Sequence, residues 1–151
     1  MDVTVRPAAV EDAPSLTAIA DEAYGIYVSR IGRRPAPMVA DFSVHIANRE
    51  CYALEDANGI AAYIVTYPRD SDQFVENVAI RPDRQGQGYG RALMNFAEIQ
   101  ARKNGLGLMV LYTNLKMTEN LAFYPRLGYV ETKHIFEDGF DRVYFEKRLT
   151  P

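Results

Sequence analysis

The chain has 151 residues, the size of one ordinary domain. With 48% hydrophobic and 25% charged residues, it has the composition of a folded globular protein, which argues against a disordered chain. Twenty acidic against seventeen basic side chains leave a net charge of −3, which argues against general nucleic-acid binding by clustered positive charge. No apolar run approaches the roughly 18 residues of a membrane span, and the first residues lack the basic and apolar regions of a signal peptide. Cys51 is the single cysteine, so neither an intrachain disulfide nor a cysteine-based zinc site is expected, and no metal is invoked. His45 and His134 fall in no recognisable catalytic motif. A reduced, cytoplasmic protein is the default reading, without nucleic-acid or membrane partners.

No repeat, low-complexity tract or linker divides the chain, so residues 1–151 are expected to form a single domain. Val3 and Val5, stopped at Arg6-Pro7, predict a short strand. Leu16, Ile19, Ala20, Ala23, Tyr24 and Tyr27 then mark one face of an amphipathic helix, with Pro14 tolerable in its first turn. Ile31 to Pro37 reads as a loop, and Met38 to about Ala47 as a shorter helix. Cys51–Leu54 and Ile60–Tyr67 read as strands joined by the turn residues Asp56-Ala57-Asn58-Gly59. Phe74–Ile80 is the next strand. A long helix follows from about Gly88 to Asn104, burying Leu93, Phe96, Ala97 and Ala101 and stopped by Gly105. Leu108–Tyr112 is apolar enough for a strand covered on both faces. A helix near Met117–Leu127 and two strands, Tyr129 to about Glu137 and Arg142–Lys147, complete an order that implies a mixed sheet with helices packed on it.

The informative stretch is Gln85-Gly86-Gln87-Gly88-Tyr89-Gly90-Arg91, where a strand runs through a turn with three alternate glycines into a helix. Glycines let backbone N–H groups approach a ligand closely. The helix adds unpartnered N–H groups and a positive partial charge, which together suit a pyrophosphate. Arg84 and Arg91 would add charge at the rim. The dinucleotide fingerprint does not fit, because Arg91 stands where its third glycine belongs, and no Gly-Lys-Ser/Thr P-loop is present. The plainer alternative is a glycine turn that only joins strand to helix.

Gln85-Gly86-Gln87-Gly88-Tyr89-Gly90 resembles the Gln/Arg-x-x-Gly-x-Gly/Ala signature of the GNAT superfamily of N-acetyltransferases. Asn77-Val78-Ala79-Ile80-Arg81-Pro82 looks like the strand that precedes this signature. Asn120 through Tyr129, with Leu127-Gly128-Tyr129 at its end, resembles the family's late helix, and the opening strand and helix also agree. The resemblance implies a GNAT-like α/β fold: a mixed, mostly antiparallel sheet of about seven strands, helices on both faces, and splayed central parallel strands. It implies acetyl-CoA as co-substrate and acetyl transfer to an amine by direct attack. The acceptor would be a small-molecule amine or, alternatively, a peptide or protein amine. A third reading is an acyl-CoA-binding sensor without turnover. Homodimers are frequent among such enzymes.

Carried over by position, main-chain groups of Val78, Ala79 and Ile80 would pair with the pantetheine arm. Those of Gly86 through Arg91 would hold the pyrophosphate. Tyr124 stands where a general acid for the departing thiolate is found, the alternative being a packing aromatic. The family more often has Asn where Met117 stands, leaving Asn114 or Asn120 as the cofactor contact. Pro125 predicts that the helix ends or bends at Tyr124. Glu76, in strand register with Val78 and Ile80, is the candidate base, with Asp72 and Glu119 as alternatives. The first two helices and their loop would wall the acceptor site with Tyr24, Tyr27, Arg33 and Arg34, whose arginines would grip an anionic group or simply meet solvent.

Overall fold

The computed structural model describes residues 2–39 and 41–150. They form a seven-stranded sheet in the order β1-β2-β3-β4-β5-β7-β6 with five α-helices. The strands are β1 (Thr4–Pro7), β2 (Cys51–Asp56), β3 (Gly59–Pro68), β4 (Gln73–Ile80), β5 (Leu108–Asn114), β6 (Val130–Glu137) and β7 (Phe140–Arg148). The helices are α1 (Ala13–Tyr24), α2 (Val28–Ile31), α3 (Phe42–Ala47), α4 (Tyr89–Lys103) and α5 (Thr118–Arg126). Pairings of β1 with β2, β2 with β3, β5 with β7 and β6 with β7 are antiparallel, whereas β4 pairs with β5 in parallel. The chain clusters into two compact units, each built from two stretches: Met1–Thr66 with Asn77–Phe96, and Tyr67–Glu76 with Ala97–Pro151.

In the first unit, Arg6 ties β1 to its surroundings through Asp12 at 2.7 Å and through Glu55. Leu16, Ile19, Ala20 and Tyr24 form the buried stripe of α1, at the spacing their sequence predicts. The helix does not run on to Tyr27 as α-helix. Gly25–Tyr27 tightens into a 3₁₀ turn, α2 follows, and Gly32 ends it in the left-handed region at φ 88°. Tyr27 stays buried nonetheless. The next helix is shorter than the expected Met38–Ala47. Asp41 accepts the Ser43 N–H at 3.0 Å and so starts α3 at Phe42, while Ala36–Val39 form a 3₁₀ turn and residue 40 lies outside the described residues.

Opposite faces of this part of the sheet are covered by different helices. Ala53 pairs with Tyr63 and Tyr52 with Ile64, so Tyr63 and Tyr52 point to opposite sides. Tyr63 packs edge-on against Phe42 of α3, ring centroids 5.0 Å apart, and Tyr52 packs against Phe96 of α4 at 4.7 Å. Phe96 is thus a half-buried cover for Tyr52, and Met94 joins Leu93, Ala97 and Ala101 as the fully buried face of α4.

In the second unit, β5 is buried at Met109, Val110 and Leu111, as its apolar run implies. The register of β4 with β5 runs from Gln73↔Met109 to Val75↔Leu111. The β6–β7 hairpin turns at Asp138 and Gly139, both at positive φ, a pair suited to a tight right-twisting turn. The C-terminal part of α4 buries Glu98, whose carboxylate accepts from Tyr129 Oη at 2.9 Å and pairs with Lys147 Nζ at 3.1 Å. This buried charge is therefore satisfied from two strand-side partners.

Candidate functional site

In the first unit, β4 ends at Ile80, Pro82–Arg84 make one 3₁₀ turn, and α4 begins at Tyr89. Gly86 and Gly88 sit at φ 81° and 84°, a conformation L side chains rarely adopt. A Cβ built at either would meet no protein atom within 4 Å. Packing by the protein therefore does not demand these glycines; the backbone conformation does, and the open space beside them admits a ligand. The first bond of the helical ladder runs from Ala92 N–H to Gly88 C=O at 3.0 Å, so the N–H groups of Gly90 and Arg91 lie ahead of it. With the positive end of a 15-residue helix behind them, these donors form a cradle that a Cβ would fill and a pyrophosphate fits. The exposed Arg91 adds positive charge in the first turn.

Two details differ from a simple rim of charges. Gln85 N–H turns back toward Pro82 C=O at 3.5 Å. The Arg84 side chain is mostly buried, and its Nη1 lies 3.1 Å from Asp56 Oδ2 without the alignment of a hydrogen bond. Asp56 Oδ2 also accepts from Tyr89 Oη at 2.9 Å. Asp56 carried no functional signal in the sequence, where it reads as a turn residue.

On the same unit, Ala79 is buried and Val78 and Ile80 are half-buried. Tyr24 Oη donates to the Val78 carbonyl at 2.6 Å and lies 3.2 Å from Asn77 Oδ1, which also accepts from Tyr63 Oη at 3.0 Å. Burial holds the Tyr63 phenol well above its ordinary pKa, so it remains a donor. One of the expected acceptor-wall residues, Tyr24, is thus joined to the strand expected to carry the pantetheine arm, through an Asn77–Tyr63 network that sequence reasoning missed. Tyr27 stacks under Arg30, whose guanidinium carbon is 5.1 Å from the ring centroid. Arg34 contacts Asp21 at 3.1 Å and the Met38 carbonyl at 3.3 Å, and Arg33 is exposed.

In the second unit, Tyr124 lies in the last turn of α5. Pro125 is accommodated inside the helix, which closes at Arg126, so the helix does not end at Tyr124 as Pro125 led one to expect. The Tyr124 ring is buried against Phe123, Tyr129 and Phe145, with centroids 5.1, 6.0 and 5.9 Å away. Burial alone raises its phenol well above the ordinary value. Asn120 Nδ2 donates to Thr113 Oγ1 at 3.1 Å, and Asn114 Oδ1 accepts the Lys116 N–H at 2.9 Å. Glu76 accepts from Tyr67 Oη at 2.8 Å and is half-buried. Of its alternatives, Asp72 is engaged bidentately by Arg69 at 2.7 and 2.9 Å, and Glu119 accepts from Thr118 Oγ1 at 3.2 Å. His45 pairs with Glu50 at 2.8 Å. Among the described residues no cluster of three or more His, Cys, Asp or Glu side chains could hold a metal, and no helix is long and apolar enough to cross a membrane.

A mixed sheet whose fourth strand leads through a glycine cradle into a helix is the frame of an acyltransferase domain, and the comparisons agree. The family model described as "Acetyltransferase (GNAT) domain" matches residues 47–131, more than half of the chain. The chain belongs to the GNAT acetyltransferase family, and it is by that membership an acyltransferase. No curated protein matches it by sequence.

Solved structures share the fold at low identity. The ribosomal-protein-S18-alanine N-acetyltransferase from Escherichia coli is 21% identical with a TM-score of 0.78, over 99% of this chain and 96% of that one. PaiA N-acetyltransferase from Thermoplasma acidophilum, in complex with coenzyme A, is 18% identical with a TM-score of 0.80, over 98% and 99%. Nourseothricin acetyltransferase is 23% identical with a TM-score of 0.63, over 66% of this chain and 65% of that one. These neighbours thus include enzymes named for a protein acceptor and for a small molecule.

Proposed function

We propose that this chain, as a single catalytic domain, transfers an acetyl group from acetyl-CoA to the primary amine of a small molecule. The observation that carries the reading is the cradle: Gly86 and Gly88 at positive φ beside open space, and main-chain donors ahead of the α4 ladder. Main-chain N–H groups from Gly86 to Arg91 hold the pyrophosphate, and main chain at Val78 to Ile80 aligns the pantetheine arm as an added strand.

Acetyl-CoA supplies an activated thioester, and the protein's own groups manage the protons. An amine must be uncharged to attack, and Glu76 accepts its proton, directly or through a water. Tyr124 keeps its proton because burial disfavours the phenolate, and it gives that proton to the departing thiolate. Asn120, one helical turn before Tyr124, is the amide on the same helix face that contacts the cofactor. Tyr24 and Tyr27 wall the acceptor, and Arg33 and Arg34 take an anionic group on it.

The test is a panel of small amines and of peptides with free α-amino or lysine groups, with acetyl-CoA as donor. Amine-dependent release of free thiol with an acetylated small amine is the expected result. Turnover confined to peptides moves the acceptor assignment to a protein amine. Tight CoA binding with no turnover on any amine leaves an acyl-CoA-binding domain.

A further inference from the structure

Asp56, at the end of β2, reads in the sequence only as a turn residue, yet its one carboxylate reaches both ends of the glycine cradle. Its Oδ1 accepts the Asn58 N–H at 2.9 Å, which fixes the carboxylate to the β2–β3 turn. Its Oδ2 accepts from Tyr89 Oη at 2.9 Å and lies 3.1 Å from Arg84 Nη1. The Asp56 side chain is 9% exposed and Tyr89 4% exposed, so these are built contacts rather than surface encounters. Arg84 precedes the glycine turn and Tyr89 opens α4. Between them lie only Gln85, Gly86, Gln87 and Gly88.

The main-chain bonds of that segment are from Gln85 N–H to Pro82 C=O at 3.5 Å and from Ala92 N–H to Gly88 C=O at 3.0 Å. The Cβ directions of Gly86 and Gly88 are open, and a pocket of about 320 Å³ is lined by Asp56, Asn58, Arg84, Gln87 and Tyr89 among others. Glycine-rich backbone loses much conformational freedom when it is ordered, and a ligand that must order it binds more weakly. A contact that fixes both ends before the ligand arrives removes part of that cost.

We propose that Asp56 is a positioning residue: it clamps Arg84 and Tyr89 to the β2–β3 turn and so presets the intervening main chain to receive the pyrophosphate of an acyl-CoA. The inference rests on the acyl-CoA reading above. It also reassigns Arg84, whose charge is spent on Asp56, from a ligand of the anion to a strut of the loop.

The sign of the effect makes the inference testable. A carboxylate near an anion site acts by repulsion if it has no positioning role, and its removal would then tighten binding. A clamp predicts the opposite. Coenzyme A binding is measured by calorimetry, and binding of pantetheine, which lacks the pyrophosphate, by NMR titration. Asp56→Ala is expected to weaken coenzyme A about tenfold and leave pantetheine within about twofold. Asp56→Asn, which keeps an acceptor oxygen, is expected to recover part of the loss. Tyr89→Phe keeps the packed ring and removes only the hydroxyl, so it serves if Asp56→Ala does not fold; it is expected to weaken coenzyme A about threefold. Unchanged or tighter coenzyme A binding in these variants, or equal weakening of pantetheine, overturns the clamp. Wild-type protein that binds no coenzyme A overturns the acyl-CoA reading, and the clamp with it.

Discussion

Gly88→Val is expected to weaken acetyl-CoA binding about a hundredfold, from backbone strain and blocked approach acting together. Gly88 sits at φ 84°, where an L residue is strained by roughly 1–2 kcal/mol, and a β-branched residue is least able to adopt it. Beyond its chain neighbours, no protein atom lies within 4 Å of a Cβ built there, so the added side chain begins in the open space proposed for the ligand. Its carbonyl also accepts the first helical bond from Ala92, so a shift of the backbone re-aims the donors behind it. Calorimetric titration of acetyl-CoA into both proteins measures the loss, and a melting curve without ligand separates it from unfolding. Undiminished affinity in a folded Gly88→Val protein would show that the glycine only joins strand to helix.

Tyr124→Phe is expected to lower kcat about a hundredfold or more while leaving the acetyl-CoA dissociation constant within about twofold, the size and pattern of a lost general acid. Removing only the hydroxyl keeps the ring that packs on Phe123, Tyr129 and Phe145. Burial raises the phenol above its ordinary pKa near 10, so the wild-type acid stays protonated throughout the neutral and mildly alkaline range. The rate should therefore rise with pH as the acceptor amine loses its proton. It should show no decline assignable to Tyr124 below about pH 10, the ordinary phenol value. The variant should follow the same rising limb at a lower level. Steady-state thiol release across pH measures both, and equal kcat values would remove Tyr124 from the chemistry.

Strand–turn–helix order around Gly86–Gly90 was readable because local chemistry dictates it: a pre-proline stop at Arg81, glycines for positive φ, and a helix with an apolar stripe at 3.6-residue spacing. The same holds for the β2–β3 and β6–β7 hairpins, whose turns carry Gly59 and Asp138-Gly139 at positive φ. The α1–α2 region was legible only in its buried stripe. Tyr24 and Tyr27 are apolar at helical spacing whether the backbone is α or 3₁₀, so periodicity could not see the change at Gly25. The late start of α3 depends on one hydrogen bond to Asp41, a residue that equally suits a loop.

Site residues that act through long-range contacts left no local trace. Asn77 gathers hydroxyls from Tyr24, 53 residues away in sequence, and from Tyr63. Asp56 reaches Tyr89 across 33 residues. Arg84 was legible as a cation beside an anion cradle, but its direction was not. That direction is set by a carboxylate on another strand, which only the folded chain brings near. Pro125 shows the reverse case. Its local rule predicts a break at Tyr124, yet the helix carries Pro125 inside it and closes only at Arg126, so Tyr124 stays helical.

Whether main-chain donors at the start of α4 receive a pyrophosphate is read from amide NMR of the labelled protein titrated with coenzyme A. Saturable shifts of the Gly86, Gly88, Gly90 and Arg91 N–H resonances are expected, following one dissociation constant and not reproduced by pantetheine alone. Coenzyme A that binds while these four resonances stay where they are, or no binding at all, would contradict pyrophosphate docking there.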